Sequence, residues 1–234
     1  MKFYSIGHEF DPKIIGKVEI QINEMVSDNY MEGDDSIYNV SDNSFPTITP
    51  RLDGFKLASK AKLTDILGCI FITQGLFVSL RVKKILEEFK LPEHRFYPIV
   101  IHKGKEQVTE YFWFFYVFQI ENYIDFKESS FYETTVSLRS QLKMPITIGD
   151  IEEYWYQSQV IKNKPVNRIL REPRHKLQEE HLVLSKKEVS YDIFSTGVFG
   201  AHQIASEALI KALTANKVSG LKITEKYLPE ISLK

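Results

Sequence analysis

Asp65–Phe96 reads DILGCIFITQGLFVSLRVKKILEEFKLPEHRF, and the stretch returns, much altered, at Asp192–Ile223. A shift of 127 positions superposes the two without a gap. Asp65 then falls on Asp192, Ile66 on Ile193, Ser79 on Ser206, Lys84 on Lys211, Leu86 on Leu213 and Lys90 on Lys217. Apolar positions coincide as well: Phe71 with Val198, Phe77 with Ile204, Val82 with Leu209, Leu91 with Val218 and Phe96 with Ile223. Solenoid units run to roughly 20–50 residues, so this period is too long for one. It reads as one supersecondary unit used twice, an internal duplication that makes two related lobes.

Within each copy the pattern is that of a capped helix followed by a strand. Ser79 and Ser206 are N-caps, whose hydroxyls accept from an otherwise unpaired amide of the first turn. Val82, Ile85, Leu86 and Phe89 recur at i, i+3, i+4 and i+7, one apolar helix face, and Pro92 stops that helix. Leu209, Ala212 and Leu213 repeat the face, and Gly220 takes the place of Glu93 just before the strand Leu221–Ile223. Asp65, Asp192 and Asp125 each stand between a polar stretch and an apolar run, where an aspartate caps a turn by accepting backbone amides. Their equivalent repeat positions favour that structural role for Asp65 and Asp192.

Outward from the repeat, Lys2–Ile6 and Lys17–Ile22 read as strands around a turn with Asp11, Pro12 and Gly16. Asn23–Ser44 turns polar and acidic, with Glu32, Asp34, Asp35 and Asp42, and reads as a partly mobile surface loop closed by Pro46 and Pro50. Arg95–His102 is a strand, Lys103-Gly104-Lys105 a turn, and Gln107–Ile120 a long returning strand. Phe112–Phe118 is apolar on both parities, the mark of a central strand covered on both faces, and the aromatic run Tyr111–Phe118 reads as core rather than a base-stacking platform. Thr134–Leu138 reads as a strand. Ile151–Ile161 opens on Asp150, with Glu152 and Glu153 placed for a helix start; the consecutive Tyr154, Trp155 and Tyr156 leave a strand open there. Lys162–Glu180, basic in its first half, reads as a connecting excursion. His181–Leu184 and Val189–Phe194 are strands around a Lys186-Lys187 turn.

The expected fold is therefore α+β, a mixed or antiparallel sheet with few amphipathic helices. It divides into N-terminal strands and acidic loop (1–56), a first lobe (57–142, with the copy 65–96), a connection (143–180) and a second lobe (181–234, with the copy 192–223).

Composition narrows the function. The 234 residues carry a net charge of −1, so no global field draws nucleic acid or an anionic membrane surface. Cys69 is the one cysteine, which rules out an internal disulfide and suits a reducing compartment. The chain starts without a signal-peptide apolar run, and Tyr111–Ile120 is half the length of a membrane span. A cytoplasmic location is expected. The six histidines share no zinc-ligand spacing; His175 and His181, six apart, come nearest. Cys69 sits in the apolar run Cys-Ile-Phe-Ile, the setting of an inert core thiol. Gly197 and Gly200 are the closest approach to a phosphate cradle, and they read as a turn. No catalytic residue, cofactor or metal ligand is assigned. The acidic residues Glu32, Asp34 and Asp35, and the acidic–aromatic patch Glu152, Glu153, Tyr154 and Trp155, are the surfaces suited to a basic protein partner.

One family resemblance bears on these residues. GLFVSLRVKKILEEFKLPEHRFYPIVI, then YFWFFYVF and YIDFKESSF, together with the C-terminal YDIFSTGVFGAHQIASEALIKALTANKVSGLKI, resemble a bacterial family of immunity proteins of polymorphic toxin systems. The resemblance runs from about Leu57 to Ile223 and is punctuated by Asp65, Ser79, Asp125, Ser129, Asp192 and Gly220. It implies a cytosolic protein that binds one cognate toxin and occludes it without catalysis. Neither composition nor resemblance fixes an oligomeric state. Two alternatives stay open: a small-molecule binder or enzyme using a cleft between the lobes, and an adaptor with a different partner.

Overall fold

In the computed structural model the structure describes residues 2–41, 44–72, 74–136, 141–164, 174–185, 190–197, 199, 203–224 and 230–233. Strand β1 (Phe3–His8) leads through a short helix α1 (Pro12–Ile15) to β2 (Ile22–Met25). Then β3 (Phe55–Leu57), β4 (Ile66–Leu67) and β5 (Leu76–Ser79) precede helix α2 (Leu80–Leu86) and the long strands β6 (His94–Lys103) and β7 (Glu106–Tyr116). Strands β8 (Ser130–Val136) and β9 (Gln141–Ile146) are followed by α3 (Ile151–Lys162) and β10 (Arg174–Leu184). The chain continues with β11 (Ile193–Ser195), β12 (Gln203–Ser206), α4 (Glu207–Ala215), β13 (Leu221–Thr224) and β14 (Glu230–Leu233). The fold is α+β with mixed sheets, as the sequence predicts.

Two compact units result. The first spans 2–119 and 191–225, the second 120–190 and 226–234. Both repeat copies lie in the first unit, which corrects the expected arrangement in separate lobes. The expected boundaries after residues 56, 142 and 180 each cut a strand: β3, β9 and β10. Composition misplaced them because all three strands carry polar residues, which in the sequence resemble connecting chain. The excursion proposed for Lys162–Glu180 is half strand, since β10 begins at Arg174. Residues 165–173 of it, the Lys186-Lys187 turn, and Val198, Gly200 and His202 of the second copy lie outside the described residues.

The first unit holds a six-stranded sheet, β2-β3-β6-β7-β5-β4, and a four-stranded sheet, β11-β12-β1-β13. Part of the first sheet and all of the second share one layout. β4 pairs with β5 as Ile66↔Val78 and Leu67↔Phe77; β11 pairs with β12 as Ile193↔Ala205 and Phe194↔Ile204. β5 lies against β7 as Phe77↔Trp113 and Ser79↔Tyr111, and β12 against β1 as Ile204↔Ser5 and Ser206↔Phe3. β7 then meets β6 as Phe96↔Phe114, and β1 meets β13 as Ile223↔Ile6. The residues of β4, β5 and β6 in these pairs map onto those of β11, β12 and β13 by the 127-residue shift read from the sequence, while their partners in β7 and β1 do not. The middle strand differs in origin, because β7 follows β6 in the chain whereas β1 arrives from the far end.

The caps repeat too. Ser79 Oγ accepts the Val82 amide and donates to Asp65 Oδ1 at 2.9 Å; Ser206 Oγ accepts the Leu209 amide and donates to Asp192 Oδ1 at 2.6 Å. Each aspartate also reaches across to the other copy. Asp65 Oδ2 accepts the Ser219 amide (2.9 Å) and hydroxyl (2.7 Å) at the exit of α4. Asp192 Oδ2 accepts the Lys90 amide (3.0 Å) at the exit of α2, and its own amide donates to the Lys90 carbonyl (2.7 Å). The copies are thus sewn together by hydrogen bonds rather than parted by a cleft.

The central strand β7 is covered on both faces: Trp113, Phe114, Phe115 and Tyr116 are all buried. One face carries the core of Ile22, Phe55, Phe77, Ile99, Trp113 and Phe115. The acidic segment covers that core. Its 3₁₀ turns at Asp28–Met31 and Ile37–Asn39 bury Ile37, and Leu52 follows at 6% exposure. Met31, Val40 and Phe45 pack against the same cluster. The sequence shows this stretch as polar because its apolar residues are single and unperiodic. Cys69 is buried, and burial pushes its thiol up to about 12, which fits an unreactive core residue.

In the second unit the sheet order is β14-β10-β8-β9, with α3 packed on β10. Asp125 and Ser129 build its entry turn. Ser129 Oγ donates to the Asp125 carbonyl (2.8 Å) and accepts the Val183 amide (2.9 Å), while the Asp125 amide donates to the Val183 carbonyl (2.8 Å). Ile151–Lys162 is a helix, which settles the choice left open above.

Candidate functional site

The two acidic surfaces singled out in the sequence belong to different units, so each is built separately. In the first unit, Arg51 organises the acidic segment. Its guanidinium donates to the carbonyls of Asn29 (2.8 Å) and Glu32 (2.6 Å) and pairs with Asp35 at 2.7 Å. The Arg51 amide closes the loop on the Asp35 carbonyl at 2.9 Å. Asp35 is therefore a structural partner of Arg51 and is not free to meet another protein. Glu32 and Asp34 are exposed.

The segment holds more charge than the sequence reading counted. Between Glu24 and Asp53 stand seven carboxylates (Glu24, Asp28, Glu32, Asp34, Asp35, Asp42 and Asp53) and one cation, Arg51. Asp42 lies outside the described residues. Among the described residues the segment's ion pairs are Glu24–Lys56 and Asp35–Arg51. Asp28, Glu32, Asp34 and Asp53 remain without a cation there, on a segment whose backbone is pinned. Exposed among them are Val26, Tyr38 and Ile48, the last two 57% and 49% accessible. Counting carboxylates across the longer window would have found Asp28 and Asp53. Tyr38 and Ile48 left no signal, because apolar residues that face outward look in sequence like those that face in.

In the second unit, Asp150 caps α3 by accepting the Glu153 amide (2.8 Å), and Glu153 returns the favour to the Gly149 amide (2.7 Å). Glu153 is thus spent on the helix start. Tyr154 is also removed from the candidate surface: it is 5% exposed, packs on Phe131, and its hydroxyl donates to Glu179 at 2.6 Å. Glu152 and Trp155 remain outside, joined by Tyr156 and Val160. At 100° per residue these share the helix face opposite Tyr154 and Ile161.

Beneath α3 lies a polar network that the sequence did not reveal, since its members are separated by 25–42 positions. Glu133, 5% exposed, receives Lys164 Nζ at 2.5 and 2.7 Å on its two oxygens and lies 2.9 Å from His175 Nδ1. The Lys164 ammonium, aided by His175, outweighs burial and holds the Glu133 carboxyl below the usual range. Glu179 goes the other way: burial raises it, and the bonds from the Tyr154 hydroxyl and its own amide offset this in part. A carboxyl raised in the folded state loses stability as pH climbs from its ordinary value near 4.5 through the folded value. Glu179→Gln should therefore flatten the stability profile above about pH 4.5 and leave the protein at least as stable at pH 7, measured by urea unfolding across pH. A profile unchanged by the substitution would contradict this assignment.

A groove of about 670 Å³ in the first unit is lined by Asn23, Glu24, Lys56, Leu57, Ser59 and Lys103. Its charges include the Lys56–Glu24 pair at 2.7 Å. Among the described residues no cluster of three or more His, Cys, Asp or Glu side chains is placed to hold a metal ion. No described helix is long and apolar enough to cross a membrane. His94 is tied to the Pro92 carbonyl, His102 to the Asp53 carbonyl and His181 to Ser232, whereas the buried Nε2 of His8 has no hydrogen-bond partner among the described residues. No family model matches the chain, and no curated protein matches it.

Proposed function

We infer that this protein binds a basic protein partner through the acidic segment of its first unit, and that it acts by occlusion rather than catalysis. The observation that carries the reading is the pinned segment Glu24–Asp53, seven carboxylates against one guanidinium, held over a closed core with Tyr38 and Ile48 outward. Fixed charge of one sign speeds association with an oppositely charged surface, and exposed aromatic and aliphatic side chains supply the contact once it forms. The sequence resemblance to immunity proteins points to a cytoplasmic setting and to a cognate toxin as the partner. A toxin that cleaves nucleic acid would present the basic cleft that this surface fits. The outer face of α3 in the second unit, with Glu152, Trp155, Tyr156 and Val160, is a separate exposed acidic–aromatic surface. The matched strand registers support a duplicated unit as the origin of the scaffold.

The test is co-expression with the toxin encoded beside this gene, combined with binding kinetics. Wild-type chain should protect cells and bind the toxin. The triple variant Glu32→Lys/Asp34→Lys/Asp53→Lys, which spares Asp35, should associate roughly 10–100-fold more slowly at low salt. Equal association rates for the triple variant and wild type, both folded, would remove the acidic segment from the interface.

A further inference from the structure

Beside Asp34 the acidic segment encloses a cleft of about 170 Å³. Its lining includes the polar residues Asp34, Ser36 and Asn39 and the apolar residues Val40, Phe45 and Ile48. Several of these side chains are held in place. The Ser36 hydroxyl donates to the Met31 carbonyl (3.0 Å), and the Asn39 side-chain amide donates to the Gly33 carbonyl (2.8 Å). Phe45 is anchored edge-on to the buried Phe115, with ring centroids 5.6 Å apart. Asp34 is exposed and has no ion-pair partner among the described residues. The nearby cations are already engaged: Arg51 pairs with Asp35, and Arg95 stacks its guanidinium on the Phe45 ring at 4.6 Å.

A small cleft whose lining combines an exposed carboxylate with aliphatic and aromatic side chains matches a long cationic side chain. The charged head would meet the carboxylate, and the methylene stem would lie along the apolar lining. Arginine suits it better than lysine, because its planar fork bonds a carboxylate at two points. We propose that this cleft is the anchor site for an arginine side chain of the basic partner. The proposal rests on the reading of the acidic segment as the docking face and deepens it to one pocket.

The probe is the blocked tripeptide acetyl-Gly-Arg-Gly-amide, titrated into the full chain and followed by the amide resonances of Asp34, Asn39, Phe45 and Ile48. Saturating shifts confined to these amides are expected, with a Kd on the order of 1 mM for so small a ligand. The same peptide with citrulline, which keeps the shape and loses the charge, should bind at least about tenfold more weakly. The Asp34→Asn chain should show the same loss for the arginine peptide, with its other resonances unmoved. Equal binding of the citrulline peptide, equal binding by the Asp34→Asn chain, or shifts spread evenly over all the acidic residues would each overturn the pocket. The peptide needs no toxin. Its failure while the wild-type chain still protects cells would remove the pocket alone, and loss of protection would remove the docking face.

Discussion

Gly220→Ala lowers the unfolding free energy of the first unit by roughly 3–5 kcal/mol. Two independent costs add. Gly220 has φ +75°, a left-handed conformation that a residue with a Cβ adopts only with strain. A Cβ at that position would also stand 2.2 Å from the Ile66 carbonyl oxygen and 2.7 Å from Thr64 Cβ. The Ile66 oxygen is backbone, and its strand is tied down: the Ile66 amide donates to the Ser219 carbonyl at 3.0 Å. Relief would require β4 to move away from the turn after α4, which breaks the crossing that Asp65 makes. Urea unfolding followed by the fluorescence of the buried Trp113, in a Trp155→Phe background, reads the first unit alone. A loss under about 1 kcal/mol would contradict a steric role for the contact between Gly220 and β4.

Asp65→Ala is the second large effect, a loss of roughly 2–4 kcal/mol. The carboxylate, 14% exposed, accepts from the Ser79 hydroxyl and from the Ser219 amide and hydroxyl, and it pairs with Arg81. Removing it takes the acceptor from the Ser79 hydroxyl and from the Ser219 amide and hydroxyl, while Arg81 keeps the Lys217 carbonyl at 3.3 Å. Asp192→Ala should cost less, roughly 1–3 kcal/mol, since its carboxylate accepts from the Ser206 hydroxyl and the Lys90 amide. The double variant should lose about 0.5–1 kcal/mol less than the sum, because each crossing holds the helix exit that the other depends on. Strict additivity would mean that the two crossings are independent anchors.

The acid limb offers a second readout. Burial raises Asp65, but the bonds from Arg81, Ser219 and Ser79 outweigh it, so its carboxyl titrates below the ordinary value of 3.8. Its contribution is complete above that value and disappears as pH falls through the folded one. Asp65→Asn should accordingly flatten the decline in stability at acid pH.

Part of this was legible in the chain. The 127-residue shift predicted Ser79 and Ser206 as caps of equivalent helices, and both hydroxyls accept the expected amides. The double-parity run at Phe112–Phe118 predicted a strand buried on two sides, and β7, which ends at Tyr116, is that strand. Among the candidate site residues, Glu32, Asp34, Glu152 and Trp155 are on the surface as charge and aromatic exposure implied. Asp35, Glu153 and Tyr154 are not available, because a side chain's partner is a matter of distance and leaves no mark on composition. Arg51 is 16 positions from Asp35, and Glu179 is 25 from Tyr154.

The sequence by itself determined the local rules: which residues cap, which face of a helix is apolar, which strand has two covered sides. These depend on neighbours a few positions away, and periodicity records them. Only the tertiary structure decided how the two copies of Asp65–Phe96 are used. Strand β1, from the opposite end of the chain, completes the second copy's sheet in the register that β7 holds in the first. The two aspartates then exchange hydrogen bonds across the copies, so what read as two lobes is one unit. Strand pairing costs little more when the partner is far away in sequence, since loop-closure entropy grows only slowly with length. Distance along the chain therefore could not tell which strand fills the gap; hydrogen bonding and burial did.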